Sequence, residues 1–195
     1  MSLIILISGL ILFLGTHSIR IVADAWRARQ RERIGEMRWK GLYSVASAIG
    51  LGLIVWGYGQ ARPNSPLLWT AATWVRHVVA LPTLLAFIML AAAYIPGTRI
   101  KAVIGHPMVA GVMLWAGAHL MANGKLSDAI LFGGFLLWAI ADFLSARRRD
   151  RMAARRYDVA HGWLRDMLAV TLGCLVWGLF AGYGHVWLVG VRPFG

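Results

Sequence analysis

The sequence has a single cysteine, Cys174, among 195 residues. That excludes an intrachain disulfide and any cysteine-based metal cluster. The lone thiol lies inside an apolar stretch and reads as a small core residue. Charge is scarce as well. Asp, Glu, Lys and Arg make up 14% of the chain, where soluble domains carry ~25%. A soluble fold of this length needs more polar surface than that, so a water-exposed globular domain is excluded. Acidic residues are the rarest, 8 against 20 Lys and Arg, for a net charge of +12. No internal repeat and no linker long enough to separate domains is present, so residues 1–195 read as one domain.

What is there is apolar. Hydrophobic residues make up 59% of the chain. A membrane helix needs ~20 mostly apolar residues, and six stretches qualify: Leu3–Ala25, Trp39–Tyr58, Thr70–Ile95, Pro107–Met121, Ser127–Ala146 and Met167–Val189. The fourth is the shortest. Pro107 suits the first turn of its helix, and Ser127 with Asp128 suits the start of the fifth. No basic residue precedes the apolar run from Leu3 to Gly15, so the first stretch reads as a retained helix and not a signal peptide.

The basic residues fall in short runs between these stretches. The first loop carries Arg27, Arg29, Arg31, Arg33, Arg38 and Lys40; the second only Arg62; the third Arg99 and Lys101; the fourth only Lys125. The fifth carries Arg147, Arg148, Arg149, Arg151, Arg155, Arg156 and Arg165, and the tail only Arg192. Heavy and light loops alternate. By the positive-inside rule this predicts an all-α bundle of about six spans in a bacterial-type inner membrane, both termini on the periplasmic side. Anionic lipid head groups at the cytoplasmic loops are then the expected partner, and nucleic acid is not.

Ionisable groups inside a span are costly and point to function. His17, His77 and His119 lie within spans; the plain alternative is a histidine hydrogen-bonding a neighbouring helix. Neutral imidazole is also an axial ligand for haem iron, and helix bundles hold haem between facing helices. Arg20 follows His17 by about one helical turn and Arg76 adjoins His77, so either could pair with a haem propionate or snorkel to the interface. His106 and His119 are 13 residues apart, which on a helix is ~20 Å of rise and a turn of ~220°, so they cannot share one iron. His106 beside Pro107 reads as a helix entrance, and His119 lies on one stripe with Trp115. By depth, His77 pairs better with His119 than His17 does. His161 and His185 read as surface or interface residues. Gly178 and Gly182 read as a packing pair on the last helix.

Three stretches carry a resemblance: LFLGTHSIR at 12–20, ERIGEMRWKGLYSVAS at 32–47, and GHPMVAGVMLWAGAHLMANGK ending at Lys125. Together they closely resemble the NnrU family, whose members are associated with nitrite and nitric oxide metabolism in denitrifying bacteria. That family is similar to plant zeta-carotene isomerase, a haem b membrane enzyme. The resemblance implies haem b held by His17 and His119, serving a small gaseous or a lipophilic ligand. A cysteine three residues before the second histidine in the plant enzyme is Ala116 here. A haem-dependent polyene isomerase is the alternative reading. A membrane methyltransferase is a further one, since His106, Pro107 and Gly111 resemble part of a cofactor motif; a purely structural membrane protein is the last.

Overall fold

The computed structural model describes residues 1–155, 157 and 162–193. Arg156 and His161, both read above from sequence, lie outside the described residues.

The described residues are helical, with no strand beyond one isolated bridge between Leu67 and Lys125. The elements are α1 (Ser2–Val22), α2 (Asp24–Ile34), α3 (Glu36–Ala61), α4 (Val75–Val78), α5 (Ala80–Tyr94), α6 (Arg99–Ile104), α7 (Pro107–Ala122), α8 (Leu126–Met152), α9 (Gly162–Leu179), a π-helical turn (Phe180–Gly184) and α10 (His185–Val189). Five helical segments are long and apolar enough to cross a membrane: Ser2–Val22, Glu36–Ala61, Val75–Tyr94, Leu126–Met152 and Trp163–Val189. Their outward faces carry large apolar side chains such as Ile11, Leu42, Leu81 and Leu175. Lipid, not protein, is the natural neighbour of such faces.

The fourth expected span is a helix and, as expected, a short one. α7 has 16 residues, ~24 Å of rise against a hydrocarbon core of ~30 Å. It packs between α5 and α8, and its Pro107, Ala110, Gly111, Ala116 and Ala118 are buried. Its entrance, Gly105 with φ 79° and His106, and its exit at Asn123 are non-helical. Such backbone is tolerated at membrane depth when protein surrounds it. Two other expected boundaries move. The third span begins at Val75, not Thr70, and is interrupted at Val79. The first ends at Val22, where Ala23 breaks the helix with φ −142° and the polar α2 begins.

Small residues set the closest helix contact, but not those expected. A Cβ on Gly178 or Gly182 would meet nothing within 4 Å. The close approach is between α1 and α3. A Cβ on Gly9 would lie 2.7 Å from the Ile54 nitrogen, and one on Gly50 would lie 2.8 Å from that of Phe13. One on Gly57 would lie 2.8 Å from the Leu6 Cα. Backbone cannot retreat as a side-chain tip can, so Gly57→Ala must push α1 away. Overpacking of this kind costs ~1–3 kcal/mol. An apparent unfolding midpoint lowered by roughly 3–10 °C is expected, read from tryptophan fluorescence in detergent. Gly59→Ala, which meets nothing within 4 Å, is expected to leave it unchanged.

A buried polar staple closes one end of the bundle. The Tyr58 hydroxyl donates to Asp128 Oδ1 at 2.7 Å, and the Lys125 backbone N–H donates to Oδ2 at 3.0 Å. Asp128 thus caps α8 as its position suggested. Ser127 does not: its backbone N–H donates to Ser65 Oγ, while its own hydroxyl has no partner among the described residues. Leu68 N–H to Gly124 O and Leu126 N–H to Pro66 O pin the loop after α3 onto the start of α8. Leu3 near the N-terminus packs at this same end with Tyr58. Arg192 near the C-terminus lines a cavity with Tyr58 and Arg62. Both described chain ends therefore share the charge-poor end of the bundle.

Candidate functional site

Two cavities divide the histidines. One, of about 240 Å³, opens at the charge-poor end; the other, of about 1000 Å³, opens at the basic end.

The smaller cavity is built around His119, near the end of α7. Trp115 one turn earlier and Phe132 on α8 press on its ring, at centroid distances of 5.2 and 4.8 Å. Its Nδ1–H donates to the Trp115 carbonyl at 2.9 Å. A carbonyl can only accept, so Nδ1 carries the proton and Nε2 keeps a free lone pair. Facing it is His185. The two ring centroids are 6.5 Å apart, with planes 20° from parallel. His185 Nδ1–H donates to the Val191 carbonyl at 2.6 Å, which leaves its Nε2 free as well. Two imidazoles, each with its outer nitrogen tied to a carbonyl, form the usual arrangement for metal ligation.

Local backbone turns His185 inward. The preceding five residues, Phe180–Gly184, form a π-helical turn, which winds the chain less per residue and rotates whatever follows. The turn packs Phe180 over Gly184, where a Cβ would meet the Phe180 ring at 2.8 Å. Gly190 then ends α10 with φ 73° and ψ 12°, a conformation that favours glycine. That reversal returns the Val191 carbonyl to the ring. His185, expected at the surface or an interface, is half-buried and lines this cavity opposite His119. Gly184 and Gly190 flanking the histidine were the available signal.

Arg62, Arg76 and Arg192 line the same cavity. Arg62 Nε is buried without a hydrogen-bond partner among the described residues; the nearest carboxylate oxygen, Asp128 Oδ1, is 3.8 Å away. The neighbouring Trp177 indole donates to Thr83 Oγ1 at 3.1 Å.

The larger cavity holds His17 and His106. His17 Nδ1–H donates to the Phe13 carbonyl at 2.7 Å, and its ring stacks on Phe13 and meets Tyr43 and Trp138 edge-on. His106, at the entrance to α7, donates from Nε2 to Asp150 Oδ2 at 2.8 Å. Tyr157 donates its hydroxyl to the same oxygen at 2.7 Å. Burial, and then that bond to Asp150, push the Tyr157 phenol above its ordinary pKa, so it stays a donor at neutral pH. The His106–Asp150–Tyr157 cluster escaped sequence reasoning. Its signal was one acidic residue inside a run of arginines.

His17 and His119, the pair implied by resemblance, are not brought together. α1 carries His17 towards the basic end, while α7 carries His119 away from it. His77 is exposed on the short α4 and lines neither cavity. Of the arginines singled out with them, Arg20 lines the larger cavity with His17 and Arg76 the smaller one with His119. The remaining motif residues serve α7 itself. Pro107 occupies its first turn, and a Cβ on Gly111 would lie 2.9 Å from the Ala86 carbonyl oxygen, so this glycine admits α5. No group of three or more His, Cys, Asp or Glu side chains able to hold a metal ion occurs among the described residues.

These features define a helical membrane protein with four imidazoles, His17, His106, His119 and His185, lining two end cavities of the bundle. The chain belongs to the NnrU family: the family profile described as NnrU protein matches residues 5–193. No curated protein and no solved structure matches it.

Proposed function

We propose that this NnrU-family protein holds haem b in the smaller cavity, where His119 and His185 would hold the iron, and serves nitrogen-oxide metabolism in a bacterial inner membrane. The observation that carries the reading is the facing pair of imidazoles. Nδ1 of each ring is bonded to a carbonyl, so the Nε2 atoms of both would be available to hold the iron. The ring centres stand 6.5 Å apart. The free Nε2 atoms suit iron, the aromatic lining suits a porphyrin face, and Arg62, Arg76 and Arg192 suit its carboxylates. The void is smaller than the ~300–1,000 Å³ of most ligand pockets, so a macrocycle must part the lining side chains. The exposed turn before His185 is the wall able to yield.

Bound there, haem would supply one-electron exchange. The chain's own contribution is to hold both imidazoles in one tautomer through the Trp115 and Val191 carbonyls, and to exclude water with Trp115, Phe132 and Phe180. By the positive-inside rule the basic end faces the cytoplasm, which puts this site near the periplasmic surface.

The test is an absorption spectrum of the detergent-purified protein, oxidised and then reduced with dithionite. A Soret band with sharp reduced α and β bands is expected. A featureless spectrum, after haem supply during expression, would overturn the proposal.

A further inference from the structure

The larger cavity is not used by that reading, and it has a chemistry of its own. Seven Lys and Arg side chains line it against two aspartates. Adding Asp24, paired with Arg27, and Glu36, paired with Arg31 and Lys40, still leaves three net positive charges. The walls come from distant parts of the chain: Arg31 from α2, Arg149 from α8 and Arg155 just beyond it. These planar forks suit the oxygens of a phosphate.

Going inward, the lining changes. Trp138 lies 11 residues before Arg149 on α8, ~16 Å deeper by helical rise. With Tyr43 and His17 it makes an aromatic floor. The Trp138 Nε1–H is buried and has no acceptor among the described residues. An unpaired buried donor costs ~1–3 kcal/mol, which a ligand oxygen would offset. Beside the mouth, His106 is held by Asp150 through Nε2. A strongly basic mouth above an aromatic floor with an unmatched donor matches an amphiphile that carries a phosphate head group.

We propose that this cavity binds a phosphate-bearing ligand, with the phosphate among Arg31, Arg149 and Arg155 and its body against Tyr43 and Trp138. The proposal is independent of haem, because no residue lines both cavities. The experiment is calorimetric titration of the purified full chain with dioctanoyl phosphatidic acid and, separately, with inorganic pyrophosphate; dioctanoyl phosphatidylcholine is the control. Phosphatidic acid is expected to bind at least tenfold more tightly than the control. The double variant Arg31→Gln, Arg155→Gln removes two solvent-reaching side chains from separate elements of the lining. It is expected to lose at least tenfold in affinity while keeping the parent's unfolding midpoint. Trp138→Phe is expected to weaken binding several-fold, and His119→Ala to leave it unchanged. Phosphatidic acid alone binding assigns the phosphate to a lipid; pyrophosphate binding as tightly assigns it to a soluble ligand. No binding of either, or binding insensitive to both the arginine and the Trp138 substitutions, would overturn the site.

Discussion

Replacing Asp128 with alanine is expected to lower the apparent unfolding midpoint in detergent by ~10 °C. The side chain is 2% exposed and accepts from both the Tyr58 hydroxyl and the Lys125 backbone. Arg62 has no other carboxylate near it among the described residues. Removing one partner of a buried charged pair costs ~3–5 kcal/mol, since the other charge is left unpaired. In a chain of this size each kcal/mol shifts the midpoint by ~2–4 °C. Asp128→Asn keeps an oxygen for Tyr58 or the cap and loses the charge, so it is expected to fall between parent and alanine. A midpoint for Asp128→Ala within 2 °C of the parent would show that the staple contributes little. The 10 tryptophans make intrinsic fluorescence a sufficient probe.

Loss of the low-spin spectrum in both His119→Ala and His185→Ala is the second large effect expected. Each removes one of the two imidazoles that would hold the iron, and one imidazole alone would hold it less firmly. His17→Ala and His77→Ala are expected to keep the spectrum, because neither side chain lines the smaller cavity. The opposite pattern, with His17→Ala bleaching the protein and His185→Ala leaving it coloured, would move the iron to the basic end. That arrangement would favour the histidine of the first helix that the family resemblance implies.

The helices were legible because hydropathy is a local property. A stretch such as Leu126–Met152 must be helical in lipid, since its backbone has no other way to satisfy its hydrogen bonds. The alternation of basic loops is a local property too, and by the positive-inside rule it predicts which end faces the cytoplasm. α7 was legible both as a helix and as a short one, because its apolar stretch, Pro107–Met121, is the shortest of the six and the helix runs Pro107–Ala122. The packing glycines show a limit. Gly57 and Gly178 look alike in the sequence, yet one faces the Leu6 backbone and the other meets nothing. Only the neighbouring helix distinguishes them.

The candidate site was half legible. His119 was singled out as an ionisable group inside an apolar run, and Arg76, through its neighbour His77, as a possible partner for a haem propionate. His185 was set aside as a surface or interface residue. The π-helical turn and the reversal at Gly190 changed its rotation, and both depend on how Phe180 packs. Asp150 likewise reads as a solvated charge until the chain beyond α8 folds back and sets Tyr157 beside it.

From residues alone came the membrane environment, the helical class, the alternation of loops and the NnrU kinship, all of which rest on composition and short-range pattern. The tertiary structure decided which histidines face each other and which end of the bundle holds them. Those outcomes depend on helix rotation and depth. Side chains far apart in sequence set both, through contacts that no local pattern records.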